Sequence, residues 1–154
     1  MPMKIAEWKE RPPALLERLV RVWERSVRAT HLFLSEEEIE NIKKYVPTAL
    51  AAVPRLITAQ REETAPVAFM GVDGARLEML FLAPEERGRG LGRQLLLYGV
   101  EIFGVRELAV NEQNPSARGF YEHMGFRVYK RTPLDEQGNP YPLLYMKYGK
   151  REDQ

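Results

Sequence analysis

The residues best suited to chemistry sit in one short stretch, Phe81-Leu82-Ala83-Pro84-Glu85-Glu86-Arg87-Gly88-Arg89-Gly90-Leu91-Gly92-Arg93. Gly88, Gly90 and Gly92 alternate, so backbone amides can approach a ligand without side-chain obstruction, and Arg87, Arg89 and Arg93 add positive charge around them. To the left, Leu77 and Met79 to Leu82 form a short apolar run between Gly74 and Pro84, which predicts a strand. To the right, Leu91, Leu95, Tyr98 and Ile102 recur at helical spacing. A strand, a glycine turn and a helix N-terminus aim backbone amides at a phosphate. No Lys-Ser or Lys-Thr follows the glycines, which excludes a P-loop, and their spacing is not that of a dinucleotide fingerprint. Taken locally, the competing reading is a glycine turn carrying solvated arginines.

A second stretch also draws notice. Asn114-Pro115 is a helix start, with Asn at the cap and Pro in the first turn. Ala117, Phe120, Tyr121 and Met124 then form one stripe, ended by Gly125. By periodicity alone Tyr121 is a core aromatic, and His123 falls on the exposed side.

These residues need a frame. Lys4 to Trp8 predicts a first strand, and Pro13 to Ala29 a helix with Leu15, Leu19, Val22, Trp23 and Val27 on one face. Ser35-Glu36-Glu37-Glu38 is a capping box for a second helix running to Pro47, with a further helical turn at Thr48 to Val53. Strands follow at Arg55 to Arg61 and Pro66 to Val72, joined by a turn at Glu62-Glu63-Thr64. Asp73-Gly74 then makes a hairpin with Arg76 to Leu82. After the Gly90–Phe103 helix come a strand at Glu107 to Val110, parallel to the preceding one by the right-handed crossover rule, and the Asn114 helix. Two last strands, Phe126 to Arg131 and Leu143 to Tyr148, flank a polar loop from Pro133 to Pro142. The order β-α-α-β-β-β-α-β-α-β-β predicts an α/β (α+β) fold: a mixed sheet of about seven strands with helices on both faces.

Composition bounds the function. The 154 residues suit one domain, and 44% hydrophobic content suits a globular core. Net charge is +1, so bulk electrostatics favour neither nucleic acid nor an anionic membrane. No apolar run approaches the ~20 residues of a membrane span, and the first residues carry no signal-peptide core. With no cysteine, disulfides, thiolate metal sites and Cys nucleophiles are excluded, and a reducing cytoplasm is expected. Two histidines without zinc-type spacing predict no metal.

Arg87-Gly88-Arg89-Gly90-Leu91-Gly92 after Leu80-Phe81-Leu82-Ala83-Pro84 resembles motif A of the GNAT acyltransferase superfamily. Asn114-Pro115-Ser116-Ala117, Gly119-Phe120-Tyr121 and Met124-Gly125-Phe126 resemble its motif B helix, and the element order is similar to the GNAT fold. Ser26 to Leu34, Asn111-Glu112-Gln113-Asn114 and Gly138 to Leu144 resemble the bacterial YjaB-type branch. The likeness extends over nearly the whole chain, as a single domain from 1 to 154.

The resemblance implies an acetyl-CoA-dependent N-acetyltransferase acting on a primary amine, either a protein lysine or a small molecule, by direct attack in a ternary complex. It implies that Leu80, Phe81 and Leu82 pair with pantetheine through their backbone. Arg87, Gly88, Arg89, Gly90, Leu91, Gly92 and Arg93 would cradle the pyrophosphate, and Asn114 would add a polar contact. Tyr121 matches the family's general acid; a thiol near ~8.5 and a phenol near ~10 make proton donation to the leaving thiolate roughly balanced. The base is Glu78, His31 or water. Glu78 lies two residues before Leu80, so alternation puts it on the face of Leu80 and Leu82. His31 lies in the break between the N-terminal helices, where the family builds its acceptor pocket; Asn111, Tyr141 and Tyr145 join it there as candidate acceptor contacts. The other reading is an acyl-CoA-binding module without turnover. The chain is expected to be a monomer or homodimer.

Overall fold

Helix ends show why the N-terminal third breaks where it does. In the computed structural model, which describes residues 3–61 and 64–149, Pro12 and Pro13 open α1 (Pro13–Thr30). The Ser35 hydroxyl accepts the Glu38 N–H at 3.1 Å, and the Glu38 carboxylate accepts the Ser35 N–H at 2.7 Å, completing the capping box of α2 (Glu36–Lys43). α2 does not run on to Pro47. Pro47 lies in the first turn of a separate α3 (Val46–Ala52), where its missing N–H would have had no partner anyway. The proline therefore begins a helix instead of ending one, and three helices precede the second strand. Of the turn predicted at 62–64, Glu62 and Glu63 lie outside the described residues.

The seven strands are β1 (Met3–Trp8), β2 (Arg55–Arg61), β3 (Pro66–Asp73), β4 (Arg76–Leu82), β5 (Glu107–Asn111), β6 (Phe126–Thr132) and β7 (Leu143–Tyr148). They form one sheet in the order β1-β2-β3-β4-β5-β7-β6. Only the β4–β5 pair is parallel. Leu19, Trp23 and Leu50 of the N-terminal helices pack on Leu56 and Phe69. On the opposite face, α4 (Leu91–Phe103) and α5 (Pro115–His123) pack Leu95, Leu96 and Tyr121 against Ile57, Met70 and Met146. Helices on both faces leave β2 and β3 with no solvent side, so alternation fades there into a run of buried residues. Thr58 is the polar exception: it is buried and accepts the Trp8 indole N–H at 2.8 Å. Truncating fully buried Leu95 to Ala would cost about 3 kcal/mol. Among the described residues no helix is long and apolar enough to cross a membrane.

Two irregularities of β4 shape the site. Gly71 pairs with Met79 and Val72 with Leu77, which leaves Glu78 as an unpaired bulge residue. The parallel ladder to β5 joins only Arg76 to Glu107 and Leu77 to Leu108. β5 stays paired with β7 from Glu107 to Asn111, so β4 and β5 part company beyond Leu77.

Candidate active site

Where β4 and β5 separate, a cleft of about 760 Å³ opens, a size that suits a small-molecule site. Leu80, Phe81 and Leu82 line one wall and Ala109 and Val110 the other. Among the described residues the β4 backbone beyond Leu77 has no strand partner on this side, so its amides and carbonyls are available to an extended ligand laid along it.

The glycine turn closes one end of the cleft. Gly88 has φ 76° and Gly90 φ 86°, a left-handed conformation that side-chain-bearing residues resist. A Cβ at either position would meet nothing within 4 Å, so the open side of the turn is free for a ligand. Gly90 is also the N-cap of α4, whose amides carry the positive end of the helix dipole. Arg87, Gly88, Gly90, Gly92 and Arg93 line the cleft. Arg89 and Leu91 do not: Arg89 is exposed elsewhere, and the Leu91 side chain is buried in the core, because a helix's first turn must send one residue inward. Only their backbone amides remain available.

Three ion or hydrogen-bond contacts fix the turn. Glu86, 3% exposed, accepts from Arg61 at the end of β2 at 2.7 Å. Glu85 pairs with Arg25 of α1 at 2.5 Å, and Arg87 donates to the Ser116 hydroxyl of α5 at 3.2 Å. The sequence offered no sign of the half-buried Arg61–Glu86 pair, whose partners meet only through the fold.

Tyr121 and Asn114 face the cleft from α5. The buried Asn114 caps the helix, its Oδ1 accepting the Ala117 N–H at 3.3 Å. The Tyr121 ring is held edge-on by Phe126 and tilted against Phe120. Its hydroxyl has no hydrogen-bond partner among the described residues and is not sealed from the cleft. Burial pushes the phenol up, away from the near-balance with a thiol that ordinary values suggest. It therefore holds its proton at neutral pH.

Glu78 lines the same cleft, but alternation misplaces it. The bulge turns Leu77 into the cluster that holds Leu80 and Leu82, while the Glu78 carboxylate lies 3.1 Å from Arg76 Nε. Arg76 in turn stacks 5.9 Å over the Tyr145 ring, whose chain neighbours Leu144 and Met146 occupy the opposite face. Burial raises the Glu78 carboxyl; Arg76 opposes this, and Glu136 and Asp73 add to it.

α1 supplies a further part of the lining. His31 caps α1 and lines the cleft together with Ser26 and Thr30. Its Nδ1 lies 2.8 Å from the Thr30 hydroxyl, and burial lowers its affinity for a proton. Phe33 stacks on His31 at 5.5 Å and Tyr141 on Phe33 at 6.0 Å. Neither Phe33 nor Tyr141 lines the cleft; the Tyr141 hydroxyl is drawn to Glu38 of α2. Nor does Tyr145, which donates to Glu136 at 3.0 Å. Asn111 lines the cleft with its Oδ1 already accepting the Gln113 N–H at 2.9 Å. The exposed His123, discounted on helical phase, does reach the cleft rim. Ser26 and Thr30 escaped sequence reading because on α1 they look like ordinary stripe and end positions.

This arrangement fits acetyl-CoA. It has a strand edge unpaired beyond Leu77 for an amide-bearing arm, open glycines and arginines at a helix N-terminus for a pyrophosphate, and a tyrosine that keeps its proton in the cleft lining.

Comparison with known proteins gives the same direction. Residues 55–128 match the family described as Acetyltransferase (GNAT) domain. The peptidyl-lysine N-acetyltransferase YjaB of Escherichia coli (strain K12) is 42% identical over 132 residues, covering 86% of this chain and 89% of that protein. Its Salmonella typhimurium counterpart is 39% identical over 132 residues, covering 86% and 90%. The solution structure of apo-form YjaB from Escherichia coli superposes with a TM-score of 0.86 at 38% identity, over 96% of this chain and 98% of that one. The PaiA N-acetyltransferase of Thermoplasma acidophilum, solved in complex with coenzyme A, shares the fold at a TM-score of 0.71 and 24% identity, over 96% and 100%.

Proposed function

Since the chain belongs to the GNAT acetyltransferase family, we propose that it transfers the acetyl group of acetyl-CoA to the side-chain amine of a protein lysine, as a single-domain enzyme of the cytoplasm. One observation supports the donor half: β4 and β5 separate after Leu77, and the cleft there is lined by the glycine turn and by Tyr121. The lysine acceptor rests on the relatives' activity and on the acidic groups near the far end of the cleft, Glu78 in its wall and Glu38 and Glu136 behind it.

Acetyl-CoA, when bound, supplies the acetyl group as a thioester and departs as the thiol. The backbone of Leu80 to Leu82 holds its amide-bearing arm, and the amides from Gly88 to Arg93, with Arg87 and Arg93, take its pyrophosphate. Glu78, directly or through water, accepts a proton from the lysine ammonium and leaves the nitrogen lone pair free to attack the carbonyl carbon. Its raised proton affinity suits that task. The carbon–sulfur bond breaks, Tyr121 gives its proton to the sulfur, and the nitrogen, on becoming an amide, releases its second proton to the phenolate and restores the Tyr121 phenol. The raised phenol is no obstacle: a thiolate leaving into the same buried cleft is destabilised by the same desolvation, so donor and acceptor rise together. Neutral His31 lines the acceptor end without a charge that would repel the ammonium.

The deciding experiment offers purified protein acetyl-CoA with a panel of lysine peptides and small amines and follows CoA release. Release with peptides is expected. Release with small amines alone would move the acceptor class, and binding without release across the whole panel would leave a module that holds acyl-CoA without turnover.

A further inference from the structure

Arg76 serves two carboxylates. Its Nε lies 3.1 Å from Glu78 Oε2 and its Nη2 lies 3.0 Å from Glu136 Oε2. Glu78 faces the cleft from the β4 bulge, whereas Glu136 belongs to the polar loop between β6 and β7. The Tyr145 hydroxyl donates to the same Glu136 oxygen at 3.0 Å, and the Tyr145 ring lies 5.9 Å from the guanidinium. One cation is therefore stretched between two anions, with a phenol and its ring holding the second anion and the guanidinium in place.

We propose that Glu136 is a positioning residue that acts through Arg76: by drawing the guanidinium towards the loop, it keeps Glu78 from being fully ion-paired and leaves its carboxylate able to take the acceptor's proton. The inference rests on Glu78 acting as base in the reading above. A carboxylate fully engaged by arginine is a poor base, because the ion pair favours the deprotonated form. A carboxylate with no nearby cation at all, in a partly buried wall, would itself become protonated. Sharing Arg76 sets Glu78 between those limits. The charged groups that bear on Glu78 are Arg76 of its own strand, Glu136 of the loop and Asp73 at the end of β3; neutral His31 lines the cleft from α1. Asp73 and Glu136 act in one direction and Arg76 in the other. The polar loop before β7 thereby reaches the chemistry without touching the cleft.

The test reads Glu78 twice. The Glu78 carboxyl carbon is titrated by NMR, its signal assigned by its loss in Glu78→Gln. The acid limb of kcat/KM is measured for acetyl transfer to a lysine peptide. Glu136→Gln should lower the Glu78 midpoint, shift the acid limb to lower pH and reduce the plateau rate about two- to fivefold, as a weaker base would. Arg76→Gln should shift both midpoint and limb the opposite way, and Arg76→Lys should restore them. KM for acetyl-CoA should stay unchanged in all three. Glu136 is half-exposed, so its variant keeps the fold. Midpoints that stay put, or that move in the same direction in both variants, overturn the proposal, as does an acid limb that ignores a moved midpoint. A wild-type protein inactive on every lysine peptide would sink the lysine reading alone, because the NMR titration needs no turnover.

Discussion

The Tyr141 hydroxyl donates to the Glu38 carboxylate across 103 residues of sequence, tying the loop before β7 to the first turn of α2. Tyr141 also braces Phe33, which braces His31. The tie thus sets the shape of the acceptor end without entering the cleft. Tyr141→Phe should raise KM for the acceptor about three- to tenfold and leave KM for acetyl-CoA unchanged.

The same tie has a pH window. Hydrogen bonding to Tyr141 holds the Glu38 carboxyl below its usual value, so its stabilisation is present above the unfolded pKa and lost as pH falls through the folded one. Tyr141 is pushed up to about 12 by Glu38, so its share is present below the unfolded pKa and lost as pH rises through about 12. Denaturation of wild type and Tyr141→Phe should therefore differ by a constant amount from about pH 5 to about pH 9 and converge at both extremes. A difference that varies through neutral pH would contradict the assignment.

Tyr121→Phe removes a hydroxyl with no protein partner among the described residues, so stability should change by less than about 0.5 kcal/mol. Coenzyme A binding, read by calorimetry, should persist. The rate of acetyl transfer should fall about 10²–10⁴-fold. Unchanged turnover would remove Tyr121 from the proton-donating role.

Gly90→Ala should separate strain from obstruction. The φ of 86° makes alanine cost about 1 kcal/mol in backbone energy, measurable by denaturation. The added methyl meets no protein atom within 4 Å but enters the space proposed for the pyrophosphate, so acetyl-CoA affinity should fall about tenfold or more. Gly92→Ala keeps a helical backbone and places its methyl 3.5 Å from Phe120, an ordinary contact, so any loss there reports on the ligand.

Glu86→Gln leaves Arg61 facing a neutral amide under the turn. Arg61 is a third exposed, which moderates the cost to about 2 kcal/mol, or a fall in Tm of about 4–8 °C. Affinity for acetyl-CoA should drop along with it, because the turn loses its anchor to β2.

The parts of this architecture written locally were legible in the sequence. Alternating glycines after an apolar run announce β4, the turn and α4. Ser35 with Glu38, and Asn114 with Pro115, announce helix starts whose hydrogen bonds the structure contains. What escaped was set by pairing. Alternation along β4 is a count from the strand's own residues, whereas the bulge at Glu78 is fixed by the register with β3. Pro47 fits the end of one helix and the start of the next equally well, and tertiary packing of Leu50 decides between them. Tyr141 and Glu86 have partners far away in sequence, Glu38 and Arg61, and no spacing rule connects them.

The two-residue seam between β4 and β5 also has a mechanical meaning. β1 to β4 hang together through antiparallel neighbours, and so do β5, β7 and β6. The sheet is two plates joined along one short weld at Arg76–Glu107 and Leu77–Leu108. A donor molecule lying in the gap would act as a rivet, bridging plates that the polypeptide leaves apart. Amide exchange along Met79 to Leu82 should then slow on binding far more than exchange within either plate, and thermal stability should climb with ligand concentration.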